Sequence, residues 1–554
     1  MPVSAPDDVR GGRGSARSRV LVLGGGFGGA YAAMALERRA ARGVPLEVAL
    51  VNRENYLVFQ PMLAEVLAGD VGMLDTVTPL RQLLPRTELF VREVSGIDLE
   101  RRVVTLDAGL GSRALELRYD QLVLALGAVT DFRGVPGLPE HALPFKTLAD
   151  AVRIRNHVID ALEQASVARE RELRSALLTF VIAGGGFSGT EAAAALGDFV
   201  RAAARTYSSL PAEEIRVVLV HSGGHVLERE LTGALARYST ATLAEHGIEL
   251  LLRTRLVAAS PRHAVLSDGT RIATRTLIST VPSSPNPVLE RLGLAHVGGR
   301  LRCEPTLALA GRERVWALGD CAHVPMPGGE PCPATAQHAI RQARLLAANL
   351  AAVLAGAPAR PFSYAGRGKL GALGHRRAVA ELPGGVCLAG VSAWLLWRGV
   401  YWSKLPGRAR KTRVLLSWLG DAMLPPHPVQ LKLGGGRGAS HAHYEPGETV
   451  FEQGDDGDCL YMIVAGEVEV LRRVDDALEL VRTLGPGEYF GELALLERRP
   501  RSAGARARSS LDLLVLPAGD FAALAGGLSE FREAFEAIAH ARTQADAARA
   551  ARPS

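Results

Sequence analysis

Apolar and polar positions predict the same strand–helix–strand order twice along the chain. The apolar run at 19–23 (RVLVL) is typical of a buried parallel strand. It leads through a glycine-rich loop into a helical stretch at 30–39, and a second apolar strand follows at 46–51. The order returns in a strand, a helix and a strand at 178–183, 190–200 and 215–220. This alternation predicts an α/β fold with parallel sheets.

The first glycine loop has the G-x-G-x-x-G spacing at Gly24, Gly26 and Gly29. In this pattern the first glycine permits a tight turn, the second admits a pyrophosphate, and the third lets the helix pack on the strand. Backbone N–H groups at the helix start then bind the phosphates. The acid expected after the second strand is replaced by Asn52, which can hydrogen-bond ribose hydroxyls without a charge. The context predicts a Rossmann-like dinucleotide site.

The second loop repeats the spacing at Gly184, Gly186 and Gly189. Its following strand ends at His221 rather than at an acid, which leaves the choice between NAD(H) and NADP(H) open. A plain tight turn is the alternative for each glycine cluster, and the matching context of the two clusters argues against it. Two such sites in one chain predict a flavin facing a nicotinamide.

Two later segments complete the first unit. The strand at 121–126 ends at Gly127, and the strand at 315–318 ends at Gly319-Asp320, with a helix at 335–350 behind it. An isolated Gly-Asp is usually a turn, but after this strand the carboxylate is placed to contact the ribityl chain of a flavin.

Composition limits the alternatives. A chain of 554 residues exceeds one hydrophobic core, and a net charge of +6 without a recognition motif does not indicate nucleic acid. The five cysteines form no C-x-x-C pair, so neither a redox dithiol nor a metal site is predicted. Residues 1–18 are predicted to form a disordered tail. No apolar run reaches the roughly 18 residues of a membrane span.

The segment 391–424 carries four of the five tryptophans, interleaved with Lys and Arg, in apolar runs too short to cross a bilayer. This pattern predicts amphipathic helices lying in the headgroup layer. The alternative is a helical hairpin that packs on the domain or on a partner subunit.

Beyond a flexible linker at 434–443 the pattern changes to short strands separated by glycine turns. Strands are predicted at 444–451, 460–464, 466–472 and 511–516, which together suggest a β-roll. A helical terminus follows at about 519–549.

The region from 19 to 426 resembles the type II, non-proton-pumping NADH:quinone oxidoreductases. The resemblance rests on 55–61 (NYLVFQP), 119–127, 145–148 (FKTL), and Gly319-Asp320 followed by Ala336-Gln337. It implies FAD bound by Gly24, Gly26, Phe27, Gly28, Gly29, Asn52, Arg53, Gly127, Gly319, Asp320 and Ala336. It implies nicotinamide bound by Gly184, Gly186, Phe187, Gly189, Glu191 and His221.

The same resemblance implies hydride transfer from NAD(P)H to FAD and then two electrons to a membrane quinone, at the cytoplasmic face of the membrane. Glu191 and Gln337 match catalytic positions of the family, although Glu191 also suits a helix N-terminus. The family's second glutamine is replaced by Arg341, which leaves the quinone open. Relatives that oxidise sulfide or reduce disulfides need paired cysteines, which this chain lacks.

The segment 487–496 (GEYFGELALL), followed by Arg501, resembles the phosphate-binding cassette of cyclic nucleotide-binding domains. The resemblance implies that Glu492 binds the ribose and Arg501 the cyclic phosphate, in a site that also contains Gly491, Leu493, Ala494, Ser502 and Ala503. Whether the ligand is cAMP or cGMP stays open.

These patterns together predict an FAD-binding domain (19–150 and 299–350), an NAD(P)H-binding domain (151–298), a C-terminal region with membrane helices (351–430), a linker (431–443) and a cyclic nucleotide-binding domain (444–554). A reductase of a soluble acceptor and a catalytically silent sensor are the alternatives. The oligomeric state stays open, with a homodimer among the alternatives.

Overall fold

The computed structural model describes residues 17–109, 113–130, 132, 134–280, 283–421, 429, 440–457, 459–474, 477–497 and 499–518. Most of the predicted tail and linker, and the whole predicted terminal helix at 519–549, lie outside these residues. Ser18 already belongs to the first strand, and residues 440–443, predicted as linker, belong to a strand.

The first unit begins with an alternating α/β segment. Its strands are β1 (Ser18–Leu23), β2 (Leu46–Asn52), β3 (Tyr56–Val58), β4 (Val77–Pro79), β5 (Glu88–Val91), β6 (Val94–Asp98), β7 (Val103–Leu106), β8 (Leu115–Arg118), β9 (Gln121–Leu124) and β10 (Ala128–Thr130). Its helices are α1 (Phe27–Ala40), α2 (Leu63–Ala68) and α3 (Leu80–Leu83). Strands β1 and β2 pair in parallel from Ser18↔Leu46 to Leu23↔Val51. The last four residues of β1 are fully buried, as a central parallel strand requires.

The second unit follows the antiparallel strand β10. Its helices are α4 (Leu138–His141), α5 (Leu148–Val167), α6 (Arg171–Leu177), α7 (Phe187–Ala204) and α8 (Gly233–Glu245). Its strands are β11 (Ala142–Pro144), β12 (Thr179–Ala183), β13 (Arg216–His221), β14 (Ile248–Leu252), β15 (Leu256–Ala259), β16 (His263–Leu266), β17 (Arg271–Ala273), β18 (Thr276–Ser279) and β19 (Ser283–Pro285). The main sheet has the parallel order β11-β18-β12-β13-β14. Strand β19 pairs antiparallel with β10, so these two strands run side by side where the chain passes between the units.

The chain then returns to the first unit. The returning elements are α9 (Pro287–Glu290), β20 (His296–Val297), β21 (Arg300–Arg302), β22 (Val315–Ala317), β23 (Ala322–His323) and α10 (Ala336–Leu354). Strand β22 pairs with β9 and completes a parallel sheet of order β22-β9-β1-β2-β5. Helix α10 packs on α1. The carboxyl ends of β1, β9 and β22 therefore share one edge, where a doubly wound fold places its ligand.

A small sheet and two helices follow. The elements are β24 (Lys369–Ala372), β25 (Ala378–Leu382), β26 (Val386–Gly390), α11 (Val391–Lys404) and α12 (Arg408–Asp421). The predicted helix pair is present. Among the described residues, no helix combines the length and the apolar character needed to cross a membrane.

The final unit is a β-roll of two four-stranded sheets, β27-β34-β29-β32 and β28-β33-β30-β31. Its elements are β27 (Ser440–Tyr444), β28 (Thr449–Phe451), β29 (Cys459–Ala465), β30 (Val468–Val474), β31 (Ala477–Leu484), β32 (Tyr489–Phe490), α13 (Glu492–Glu497), β33 (Gly504–Ala507) and β34 (Leu511–Pro517). The single strand predicted for 444–451 is wrong, because Gly447 (φ 84°) and the Glu448 N–H to Glu445 carbonyl bond form a turn there. The strand predicted to begin at Gly466 begins at Val468, since Gly466 also has a positive φ. Strand β31 was not predicted.

Two glycines of the first loop give a matched pair of substitutions. A Cβ on Gly29 would lie 1.8 Å from the carbonyl oxygen of Gly24, whereas a Cβ on Gly26 would meet nothing within 4 Å. Since backbone cannot yield to a methyl group, Gly29→Ala is expected to lower the free energy of unfolding by about 2 kcal/mol or more. Gly26→Ala is expected to change it by less than about 0.5 kcal/mol. Denaturant unfolding of the two variants checks this, and equal stabilities would contradict it.

Candidate functional site

The first glycine loop is held tightly on one side and is open on the other. Gly24 has a φ of 103°, and a Cβ there would lie 2.3 Å from the carbonyl oxygen of Ala125. Gly29 packs equally closely on Gly24, while Gly26 faces open space. Helix α1 begins at Phe27, so its first N–H groups face the open side of the loop. This is the shape that a diphosphate requires.

Asn52, at the end of β2, binds the loop in this structure. Its Oδ1 accepts the N–H of Gly25 at 2.7 Å, and its Nδ2 donates to the carbonyl of Glu54 at 2.7 Å. Arg53 beside it is mostly exposed and forms a surface ion pair with Glu54 at 3.5 Å. Asn52 therefore fixes the glycine loop to the strand end, a role that the sequence did not suggest.

The other predicted residues of the first site lie at the same sheet edge. Gly127 and Gly319 follow β9 and β22 with φ values of 64° and 74°, and Asp320 lies in a 3-10 turn after β22. Gln342 of α10 accepts the N–H of Gly319 at 2.8 Å and so fixes this turn. Burial lowers the pKa of Lys146, and the nearby carboxylate of Asp320 opposes that shift. Sequence reasoning missed Lys146 as a functional residue and gave Gln342 no role.

The second loop repeats the design. Gly184 has a φ of 114°, and a Cβ on Gly189 would lie 1.8 Å from the Gly184 carbonyl oxygen. The N–H of Gly185 donates to Nδ1 of His221 at 3.2 Å, so His221 holds this loop as Asn52 holds the first. Burial lowers the pKa of His221, which favours the neutral ring and weakens its suitability for a 2′-phosphate.

Two acids near the second loop were not predicted. The carboxylate of Glu228 accepts the N–H groups of Gly224 and His225 at 2.8 and 3.0 Å, and it lies close enough to His221 to influence its pKa. Glu230 Oε1 lies 3.0 Å from the position of a Cβ on Gly186. Both come from the loop after β13, and a single acid in a loop carries no sequence signal for such a position.

Glu191 connects the second unit to the C-terminal helices. It lies on α7, which starts at the second glycine loop, and its Oε1 accepts the N–H of Ala372 in β24 at 3.0 Å. Burial raises the pKa of Glu191 to about 7, although the Ala372 N–H and the indole of Trp397 lower it in part. Phe187 packs against Gly371 of the same strand. A carboxyl that titrates near neutrality is suited to proton transfer.

Aromatic rings extend from the first loop to this carboxyl. Phe27 contacts Phe59 edge-on at 5.8 Å, Phe59 contacts Tyr401 at 6.0 Å, and Tyr401 contacts Trp397 at 4.8 Å. Burial, followed by the charge of Glu191, raises the pKa of the Tyr401 hydroxyl. The rings form a water-poor wall between the first glycine loop and α11.

Gln337 and Ala336 lie at the start of α10, beside this wall. Gln337 Oε1 accepts the Tyr364 hydroxyl at 3.2 Å and the N–H of Arg367 at 3.1 Å, and its Nε2 donates to the carbonyl of Gly368 at 3.2 Å. Gln337 therefore holds the segment that leads into β24. The guanidinium of Arg341, in place of the family's second glutamine, stacks 4.9 Å from the Tyr364 ring.

The helix pair α11–α12 presents an apolar face to solvent. Its exposed apolar side chains are Val391, Leu395, Leu415, Leu416 and Leu419. On the other side, Arg398 stacks between the rings of Trp394 and Trp418, and Trp418 Nε1 donates to Glu65 of α2 at 3.2 Å. The tryptophans thus serve partly to fasten the hairpin to the first unit.

The β-roll contains a partly open cavity of about 50 Å³. All seven residues predicted for cyclic nucleotide binding line it, together with Phe451, Val470, Val481, Arg482 and Phe490. Gly491 has a φ of 85° and precedes the short helix α13. Glu492 and Arg501 are 2% and 3% exposed. The structure therefore brings an acid, a guanidinium and a helix start to one small cavity.

Arg501 is held by backbone and aromatic contacts. Its Nη1 donates to the Gly491 carbonyl at 2.7 Å and its Nη2 to the Cys459 carbonyl at 2.8 Å. The guanidinium lies 4.2 Å from the ring centre of Phe451. A guanidinium oriented in this way at the cavity wall can pair with an anion bidentately.

Three protein families match successive parts of the chain. Residues 18–343 match the pyridine nucleotide-disulphide oxidoreductase family, 367–424 match the NDH2 C-terminal domain, and 441–526 match the cyclic nucleotide-binding domain. Both resemblances noted from the sequence are thereby confirmed.

Relatives of known function are similar over most of the chain. Demethylphylloquinone reductase NdbB of Synechocystis is 32% identical over 73% of this chain and 96% of that protein. Type II NADH:quinone oxidoreductase Ndh of Mycobacterium tuberculosis is 29% identical over 73% of this chain and 87% of that protein.

Among solved structures, NDH2 from Plasmodium falciparum in complex with NADH superimposes with a TM-score of 0.70 at 16% identity, covering 74% of this chain and all of that one. At this identity the likeness establishes the shared fold. The chain therefore belongs to the pyridine nucleotide-disulphide oxidoreductase family, in its type II NADH:quinone oxidoreductase branch, with a cyclic nucleotide-binding domain added at its C-terminal side.

Proposed function

We propose that the chain is an FAD-dependent NADH:quinone oxidoreductase that works at a membrane surface and carries a cyclic nucleotide-binding domain. In this proposal residues 19–150 and 299–350 hold FAD, and 151–298 hold the nicotinamide cofactor. The observation that carries it is the repeated loop, because both glycine loops are closed by backbone contact on one side and begin a helix on the other.

The residues of the first unit fit FAD. Gly26 leaves room for the diphosphate, and a side chain at Gly24 would collide with backbone. Gly127 and Asp320 lie at the same edge for the ribityl chain and the ring system. The FAD that these residues would hold would supply the hydride acceptor for NADH and the two-electron donor for the quinone. The protein orients the two rings and excludes water with Phe27, Phe59 and the wall behind them.

Glu191 is proposed to hold the proton that a reduced quinone needs. Its carboxyl lies between the helix that starts at the second loop and the segment that leads into α11. With its pKa raised to about 7 by burial, the group can both hold and release a proton at neutral pH. Gln337 is proposed to position the neighbouring backbone at 364–368.

The exposed leucines of α11–α12 are proposed to lie in the headgroup layer at the cytoplasmic face, which makes the enzyme a peripheral one. Lys and Arg side chains of the same helices suit anionic lipids. A quinone would then reach the aromatic wall from the bilayer. Association into a homodimer is compatible with this arrangement.

The β-roll is proposed to bind cAMP or cGMP. Arg501 would take the cyclic phosphate, and the first N–H groups of α13 would assist. Glu492 would take the ribose hydroxyl, while Leu493, Ala494, Ser502 and Ala503 shape the remaining wall of the cavity.

The oxidoreductase proposal predicts that NADH bleaches the yellow flavin and that a ubiquinone or menaquinone analogue in vesicles restores its colour. Stopped-flow absorbance measures both steps. A flavin that NADH does not reduce would support the silent sensor instead, and reoxidation only by soluble acceptors would support a soluble reductase. Leu416→Glu tests the membrane contact separately. The variant loses the apolar area that Leu416 would bury in the headgroup layer, so its rate with vesicles should fall about tenfold while its rate with a soluble acceptor stays unchanged.

Glu191→Gln separates a proton-transfer role from a structural one. The wild-type quinone reductase rate should fall as pH rises through about 7, because the raised pKa leaves the carboxyl protonated only below that value. The variant should be slower and should lack this step in its pH profile.

Stability gives an independent measure of the same carboxyl. A carboxyl whose folded pKa is raised contributes stability that is lost between its ordinary pKa and about 7, so the wild type should lose roughly 1–3 kcal/mol relative to Glu191→Gln between pH 4.5 and 7.5. Parallel pH profiles for the two proteins would contradict the assignment.

Arg501→Ala is expected to weaken cyclic nucleotide binding at least about 30-fold, since the anion loses a charge-assisted pair. Arg501→Lys keeps the charge but loses the planar fork, so its affinity should fall between those of the wild type and the alanine variant. Arg508→Ala, on an exposed ion pair with Glu467, is the matched control and should bind normally. Calorimetry with cAMP and cGMP measures the affinities, while flavin absorbance should stay unchanged; undiminished binding by Arg501→Ala argues against the cassette.

A further inference from the structure

The β-roll packs on the second Rossmann-like unit through one buried carboxylate. The side chain of Glu448, in the turn before β28, is only 4% exposed. Its Oε1 accepts the Ser260 hydroxyl at 2.8 Å, lies 2.8 Å from Nδ1 of His263, and lies 3.3 Å from Nη2 of Arg271. Three side chains of the nicotinamide unit thus converge on one oxygen of the regulatory domain.

This contact differs from a surface ion pair. Burial by itself raises the pKa of Glu448, yet the bonds from His263, the Glu445 N–H and Ser260 lower it below its ordinary value. The carboxylate therefore stays charged although water is largely excluded. A charge buried in this way depends on its partners, so separating the two domains would leave it uncompensated until water entered.

A second contact lies beside the first. The N–H of His443 in β27 donates to Nε2 of His141 at 2.8 Å. The same Nε2 also lies 2.9 Å from the carbonyl oxygen of His443, and burial lowers the pKa of His141 to about 4, so a neutral ring faces the backbone of β27. The ring of His443 is held in turn by Asp512, 2.6 Å from its Nδ1. His141 is the last residue of α4, which lies in the sequence between β10 and β11.

Within the β-roll, two adjacent strands connect this contact to the nucleotide cavity. Strand β28 starts directly after Glu448 and ends at Phe451, whose ring lies under the Arg501 guanidinium. Strand β33 follows the cassette and pairs with β28. The N–H of Ala507 in β33 donates to the backbone carbonyl of Glu448 at 2.8 Å. The cassette and Glu448 are therefore joined through one ladder.

On the nicotinamide side the route continues to the second glycine loop. Ser260 and His263 border the turn between β15 and β16, and the next strand, β17, leads into β18, an inner strand of the main sheet. Thr280, directly after β18, has its Oγ1 2.4 Å from the position of a Cβ on Gly184 and 2.7 Å from that on Gly189. Strand β19, which pairs with β10 where the chain passes between the two units, follows in the sequence.

We propose that the contact of Glu448 with Ser260 and His263 couples cyclic nucleotide binding in the β-roll to dinucleotide binding in the second unit. The inference rests on the proposed function, because it requires both ligands. It adds the place where the two sites communicate. Coupling of this kind is reciprocal, so each ligand must change the affinity of the other by the same factor.

The test is calorimetry on the full, FAD-loaded chain. The affinities of cAMP and cGMP are measured with and without saturating NAD⁺, which binds without reducing the flavin. In the wild type, NAD⁺ should change the affinity for cAMP or cGMP, whichever binds, by a factor of at least about five, which is the coupling factor. In the double variant Ser260→Ala/His263→Ala the factor should fall to about one, while nucleotide affinity without NAD⁺ stays within about threefold of the wild type.

Two further variants keep the result interpretable. Arg271→Ala removes a side chain that is 45% exposed, leaves no buried gap, and should reduce the factor in part. Arg255→Ala, at an exposed position directly before β15 of the same small sheet, is the matched control and should leave the factor unchanged.

Each remaining outcome has one meaning. Binding of both ligands with no mutual effect in the wild type overturns the coupling and leaves the proposed function intact. A factor that survives in the double variant overturns the route through Glu448. Failure of NAD⁺ to bind refutes the proposed function and the coupling together. Failure of both cAMP and cGMP to bind refutes the ligand proposed for the β-roll and, with it, the coupling.

Discussion

The close approach of backbone to backbone in the two glycine loops is the constraint on which the rest of the structure depends. Gly29 and Gly189 each lie where a Cβ would be 1.8 Å from a carbonyl oxygen of their own loop. This contact sets the angle at which α1 and α7 leave their sheets. It therefore also sets where the first N–H groups of each helix point, and where Glu191, one turn along α7, meets the C-terminal segment.

Local patterns allowed these loops to be predicted. A buried strand, a glycine spacing and a helix are adjacent in sequence, so their geometry follows from local conformation and can be read without a structure. The same holds for the cassette around Gly491 and Arg501. By contrast, the strand predicted across 444–451 failed because it ran through Pro446-Gly447, where Gly447 turns the chain.

The side chains that fix the loops could not be predicted, because their partners are distant in sequence. Gln342 binds Gly319, and Thr280 lies against Gly189, through contacts that exist only after the sheet has assembled. Asn52 and His221 show the same limit in another form. Both residues were interpreted from the sequence as replacements for an acid. In the structure they have equivalent roles, because Asn52 accepts the N–H of Gly25 and His221 accepts the N–H of Gly185.

The path of the chain supports the coupling proposed between the β-roll and the second unit. Strands β10 and β19 run together where the chain passes between the Rossmann-like units, so a rotation of one unit against the other would pivot near them. The β-roll touches the second unit at His141, eleven residues after β10, and at the hairpin that leads into β18 and β19. In the proposed coupling, a small displacement of a domain bound there would change the distance between the proposed flavin and nicotinamide sites. Contact far from the pivot would require a much larger one. The position of Glu448 close to β10 and β19 therefore supports the proposed coupling as much as its hydrogen bonds do.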